Sequence, residues 1–138
     1  MSGQGSVAAS EVPARSVHYL QVQTTTDSRA EAMELARGAV EERLAACAQV
    51  AGPIASMYWW EDGIERAEEW LLMLKLPASG YQALAEVLAR RHSYDEPEIV
   101  ATPIVAGSDA YLSWIAEETR AIGADEARTI AAEETRPE

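Results

Sequence analysis

The chain has 138 residues, 48% of them apolar, which suits one domain with a packed core. Its formal net charge of −12 argues against nucleic acid and anionic membranes as partners, since both demand clustered Lys and Arg. One cysteine, Cys47, leaves no internal disulfide, and no apolar run approaches the roughly 20 residues that span a bilayer.

Residues 1–15 are small and polar and read as a flexible leader. They lack the basic and apolar regions of a signal peptide, so the expected location is the cytoplasm. Ser16 to Thr24 alternates and is expected as a strand, with Val17, Tyr19 and Gln21 to one face and His18, Leu20 and Val22 to the other. Ser28 and Glu31 have the spacing of a capping box, and the helix they open is expected to run to about Ala46. Met33, Ala36, Val40 and Leu44 recur at helical spacing and form its predicted buried stripe. Cys47 lies in an apolar run and reads as core. A second strand begins there, and Gly52-Pro53 must bend or bulge it.

Ile54 to Leu76 reads as a long β-hairpin with Tyr58, Trp59 and Trp60 in its first arm. Asp62-Gly63 is the dipeptide that a type I′ turn prefers, because both of its positions need φ > 0. The second arm would extend about 43 Å. A domain of about 100 residues measures only about 34 Å across, so the tip is expected to lie on a neighbour. In that arm Trp70, Leu72, Leu74 and Leu76 point one way and Leu71, Met73 and Lys75 the other, so both faces need cover.

Ser79 and Gln82 repeat the capping-box spacing, and the helix to about Arg91 is expected to bury Tyr81, Leu84, Val87 and Leu88. A polar linker, 92–97, leads to a strand from Glu98 to Val105 in which Pro103 marks an edge. Gly107-Ser108 opens a third helix carrying Tyr111, Leu112, Trp114 and Ile115, which Gly123 stops. Residues 123–138 read as an acidic, frayed tail. The order is β-α-β-β-α-β plus a helix: an α+β, ferredoxin-like domain over 16–122, with a four-stranded antiparallel sheet and two helices on one face. The other sheet face would be a large uncovered patch, which oligomerisation would cover.

Five segments in this order and spacing resemble the CutA family, the divalent-cation tolerance proteins. They are Glu41-Glu-Arg-Leu-Ala-Ala-Cys47, Met57-Tyr-Trp-Trp-Glu61, Leu72-Met-Leu-Lys75, His92-Ser-Tyr-Asp-Glu-Pro-Glu-Ile99 and Asp109-Ala-Tyr-Leu-Ser-Trp114. The resemblance spans Ser16 to about Thr119. It implies a tight homotrimer, architecturally like the PII signalling proteins, and an association with tolerance to copper and other divalent metals. It implies no established reaction. The chain departs from the family pattern at Ser93, where proline is usual, at Asp95, where glutamate is usual, and at the tip, which lacks a basic residue. Some members associate copper with a cysteine near the end of the first strand and with paired histidines. The matching positions here are Gln23, Arg91 and His92, of which only His92 is a copper ligand type.

His92 is therefore the metal candidate, for Cu²⁺ or Zn²⁺ with nearby carboxylates. Weighed against it is a histidine that merely ends a helix, where the dipole favours its positive form. Lys75 is an isolated charge among leucines and needs a partner, for which Glu61 and Glu98 are candidates. With Tyr94 these residues would line a polar inter-subunit cleft. Tyr58, Trp59 and Trp60 are expected at the trimer interface. No phosphate loop, paired-His metal motif or nucleophile elbow is present, so no enzyme is expected. The leading expectation is a trimeric, cytoplasmic binding or regulatory protein associated with divalent metal tolerance. The alternative is a PII-like sensor of a small polar or anionic ligand, without metal. A third is a small enzyme of the dimeric α+β barrel type, which would be a dimer.

Overall fold

The computed structural model describes residues 17–120. The expected leader, the tail and the stop at Gly123 lie outside these residues. Strand β1 (Tyr19–Thr26) leads to helix α1 (Arg29–Glu41), then to β2 (Cys47–Trp60) and β3 (Gly63–Pro77). A short 3-10 turn (Ala78–Gly80) precedes α2 (Tyr81–Arg91), which is followed by β4 (Val100–Pro103) and α3 (Asp109–Glu117). The sheet order is β2-β3-β1-β4, and every pairing is antiparallel. This is the ferredoxin-like α+β domain.

Ser28 caps α1, its Oγ accepting from Glu31 N–H at 3.1 Å. The reciprocal half of the expected box is replaced: the Glu31 carboxylate accepts from the Ser93 N–H and Oγ, each at 2.8 Å. The helix stops at Glu41 rather than Ala46. Arg43 takes φ 65°, its N–H bonds the Val40 carbonyl at 3.0 Å, and Leu44 N–H bonds the Ala39 carbonyl at 2.9 Å. That is a Schellman cap with arginine in the left-handed position. Ala46 N–H then goes to the Lys75 carbonyl at 2.9 Å, which draws the alanine run into the sheet. The buried face of α1 is Ala32, Leu35, Ala36 and Ala39, while Met33 and Val40 are exposed. Alanines let the helix lie close to the sheet, and this turns the longer Met33 and Val40 outward.

β2 is one long strand with a register shift between Ala51 and Ile54, where two of its residues oppose Trp70 alone. This is a β-bulge. A Cβ on Gly52 would lie 2.6 Å from Trp70 Cε3, so the bulge requires glycine there. The hairpin turn is one residue earlier than expected. Trp60 pairs with Gly63, and Glu61 and Asp62 occupy the two loop positions with φ 45° and 70°. The type I′ geometry is kept, but Gly63 serves as the first residue of β3.

The expected capping box at Ser79 does not form. The 3-10 turn leads straight into α2, whose N-cap, Gly80, has no side-chain bond, and Gln82 instead bonds Glu86 Oε1 at 3.1 Å. β4 is four residues rather than eight, ending at Pro103 on the sheet edge. The core lies between the sheet and helices α1 and α2. Val22, Leu72, Leu74, Leu76 and Leu84 are fully buried there, each side chain stabilising the fold by about 1.5–3 kcal/mol.

Candidate functional site

Strand register places chemistry on the face away from α1 and α2. Residues opposite one another across a strand pair share a face. Leu72, Leu74 and Leu76 point into the core, so Leu71, Met73 and Lys75 point out. Three rows follow across β2, β3, β1 and β4. They are Cys47, Lys75, Gln21 and Thr102; then Gln49, Met73, Gln23 and Val100; then Ala51, Leu71 and Thr25. The open face is thus amide-rich at one end and apolar at the other.

Lys75 is half-buried, and its Nζ donates to Gln49 Oε1 at 2.8 Å. Neither predicted carboxylate pairs with it. Glu61 sits at the hairpin tip, about 40 Å away along the strand. Glu98 accepts from Gln23 Nε2 at 2.9 Å. Tyr94 lies farther along, its hydroxyl donating to Glu69 Oε2 at 2.9 Å. Glu69 is about 20 Å from Lys75 on β3, so the predicted single cleft separates into two groups. Burial chiefly, and then the Glu69 hydrogen bond and the charges of Glu69, Asp27 and Glu31, push the Tyr94 phenol well above its ordinary range.

His92 ends α2 with its side chain fully buried. Its Nδ1 accepts from the Tyr94 N–H at 3.1 Å. The ring hydrogen therefore sits on Nε2, which lies 2.9 Å from the Thr25 carbonyl and 3.1 Å from Thr24 Oγ1. Nε2 thus ties the end of α2 to β1, Nδ1 takes the Tyr94 N–H two residues on, and neither is aimed at an ion. Arg91 pairs with Glu42, the residue that ends α1, and Gln23 is held by Glu98. The three positions matching a copper site do not fit a metal: one is a cation, one is an amide bound to its neighbour, and one is a histidine with no lone pair to offer. Among the described residues no group of three His, Cys, Asp or Glu is arranged to hold an ion.

Cys47 is half-buried on the open face rather than in the core, and Tyr111 of α3 donates to its Sγ at 3.8 Å. Burial and this contact raise the Tyr111 phenol. The helix is anchored at its other end by Glu118, which pairs with Arg43 at 2.7 Å. His18 is exposed.

β1 pairs with β3 only as far as Trp70, so Gly63 to Glu69 pairs with β2 alone. This two-stranded ribbon overhangs the domain by about 23 Å. Met57, Trp59 and Ile64 stand on one of its faces and Tyr58 and Trp60 on the other. Met57 is 69% exposed, Trp59 75%, Trp60 61% and Ile64 63%. Among the described residues no helix is long and apolar enough to cross a membrane.

Gln21, Gln49 and Glu69 are not identified from sequence. Strand alternation alone does not reveal which residues lie beside Lys75 and Tyr94; the register between strands does.

The CutA1 divalent ion tolerance family model matches residues 20–118. The chloroplastic CutA protein of Arabidopsis thaliana is 37% identical over 110 residues, 80% of this chain and 60% of that protein. The chain spans 64% of a chloroplastic Oryza sativa relative, so the plant proteins are substantially longer than the part matched. The divalent-cation tolerance protein CutA of Thermus thermophilus is 38% identical over 95 residues, 69% of this chain and 92% of that protein. A solved structure of the Thermus thermophilus protein superposes with a TM-score of 0.72 at 36% identity, covering 74% of this chain and 99% of that one. Sequence and fold agree over nearly all of the described domain, and the chain belongs to the CutA1 divalent ion tolerance family.

Proposed function

We propose that this protein is a non-catalytic binding or regulatory protein of divalent-cation tolerance, acting in the cytoplasm as a PII-like homotrimer. One observation carries the assembly: the overhanging ribbon exposes Met57, Trp59, Trp60 and Ile64 on both of its faces. A two-stranded ribbon is marginal in water by itself, and large exposed apolar patches mark interaction surfaces. The outer edge of β2 supports the same reading, since a 14-residue edge strand invites pairing with another chain. The threefold number rests on the family resemblance. The tolerance role does not run through copper or zinc held at His92, whose nitrogens serve the fold.

Light scattering tests the assembly. The chain is 15.0 kDa, and the mass in solution should be three times that. A monomer or a dimer would refute the trimer, and a dimer would return the barrel-enzyme reading. The alternative, a sensor of a small polar or anionic ligand, is favoured by one observation: Lys75 on the open face is held by a neutral amide rather than a carboxylate.

A further inference from the structure

Eleven residues of the chain are Lys or Arg, and Lys75 is the only lysine. It stands in the row Cys47, Lys75, Gln21 and Thr102, bonded to Gln49 Oε1 at 2.8 Å. Among the described residues no carboxylate lies within ion-pair distance of its Nζ. An ammonium carries three donors, so two remain. The Gln49 oxygen is occupied, which leaves its amide N–H groups available, and the Gln21 side-chain amide has no partner among the described residues. The row therefore has donors in surplus and one positive charge.

We propose that Lys75, with the side-chain amides of Gln21 and Gln49, forms a binding site for a small monocarboxylate. A carboxylate is an acceptor-only group with two oxygens, which suits one ammonium flanked by amide donors. One cation balances one negative charge. The chain's net charge of −12 disfavours di- and trianions, which the surrounding field repels. The site deepens the assembly reading and rests on it in one respect. Where a second copy narrows the open face to a cleft, Lys75 loses part of its water while staying within reach of small solutes, and a partly desolvated ammonium needs a counter-charge. The monocarboxylate supplies it.

The single lysine makes the test direct. The full-length chain is treated with an amine-reactive ester in sodium lactate, sodium sulfate or sodium chloride at equal ionic strength, and modification of Lys75 is read by peptide mass mapping. Lactate should slow it as 1 + [L]/Kd, about fivefold at four times the dissociation constant, and sulfate should not. Lys75→Met should keep the wild-type mass in light scattering and lose the rise in melting temperature that lactate produces. Equal rates in all three salts would overturn the site, and equal protection by sulfate would overturn the monocarboxylate class. A Lys75→Met chain that dissociates would also overturn it, because the counter-charge would then be a carboxylate of a second copy. The wild-type mass judges the assembly and protection by lactate judges the site, so either can fail without the other.

Discussion

Trp59→Ser separates a ribbon that is free from one that is buried by association. In the lone chain Trp59 is 75% exposed, and a substitution at such a surface position should change stability by no more than about 0.5 kcal/mol. If another copy covers it, the loss is large. A tryptophan buries about 200 Å², and three quarters of that is about 150 Å². At about 25 cal/mol per Å², this is about 4 kcal/mol per protomer. That corresponds to about a thousandfold weaker association for each interface. The assay is light scattering across a dilution series, with urea unfolding at the same concentrations. Trp59→Ser should shift the mass toward the monomer at concentrations where the wild type stays assembled, and its unfolding midpoint should fall. Unchanged mass and midpoint would refute the assembly argument at its root.

Three further outcomes are expected. Glu61→Asn combined with Asp62→Gly should raise stability in urea unfolding by about 1–2 kcal/mol, because both positions take positive φ, and a loss would place the turn at 62–63 after all. His92→Ala should leave the Tyr94 N–H and the Thr25 carbonyl without their buried partner, costing about 1–3 kcal/mol for each. Calorimetric titration with Cu²⁺ or Zn²⁺ should be the same for this variant and the wild type; a heat that disappears with His92 would restore the metal candidate. The raised Tyr94 phenol keeps its proton in the folded chain after an unfolded tyrosine has lost it. Stability from this group is therefore present below pH of about 10 and falls as pH rises beyond it, and Glu69→Gln should lower the pH at which Tyr94 ionises in ultraviolet titration.

The hairpin, the two sheet faces and the order of elements are legible in the sequence because alternation and turn chemistry are local. Sequence and structure part where a neighbour decides. Helix propensity carries α1 on through Ala45 and Ala46, yet the Lys75 carbonyl takes the Ala46 N–H and the helix ends at a left-handed Arg43. The buried stripe of α1 is displaced because helical spacing fits more than one set of apolar residues, and contact with the sheet selects the set with the alanines. The site is legible in its residue types, since Lys75, Tyr94 and Glu98 do lie on or beside the open face. Its pairings are not, because Gln49, Gln23 and Glu69 are brought to those residues by register across strands distant in sequence.

The bulge at Gly52-Pro53 has a consequence for how such a surface changes. Before it, odd-numbered residues of β2 (Cys47, Gln49 and Ala51) share the face of Lys75; after it, even-numbered ones (Ile54, Ser56, Tyr58 and Trp60) do. The extra residue is a half-period phase shift between the part of the strand that builds the domain and the part that leaves it. Losing one residue there would remove the bulge yet leave Tyr58 opposite Glu65 and Trp60 opposite Gly63 on the ribbon, and Ala51 opposite Leu71 inside the domain, because the turn fixes the first pairings and the sheet fixes the second. The strand thus takes its register from two ends, the domain and the turn, and the bulge absorbs the one-residue difference between them, so that a length change there is a local event that leaves the exposed aromatic faces as they are.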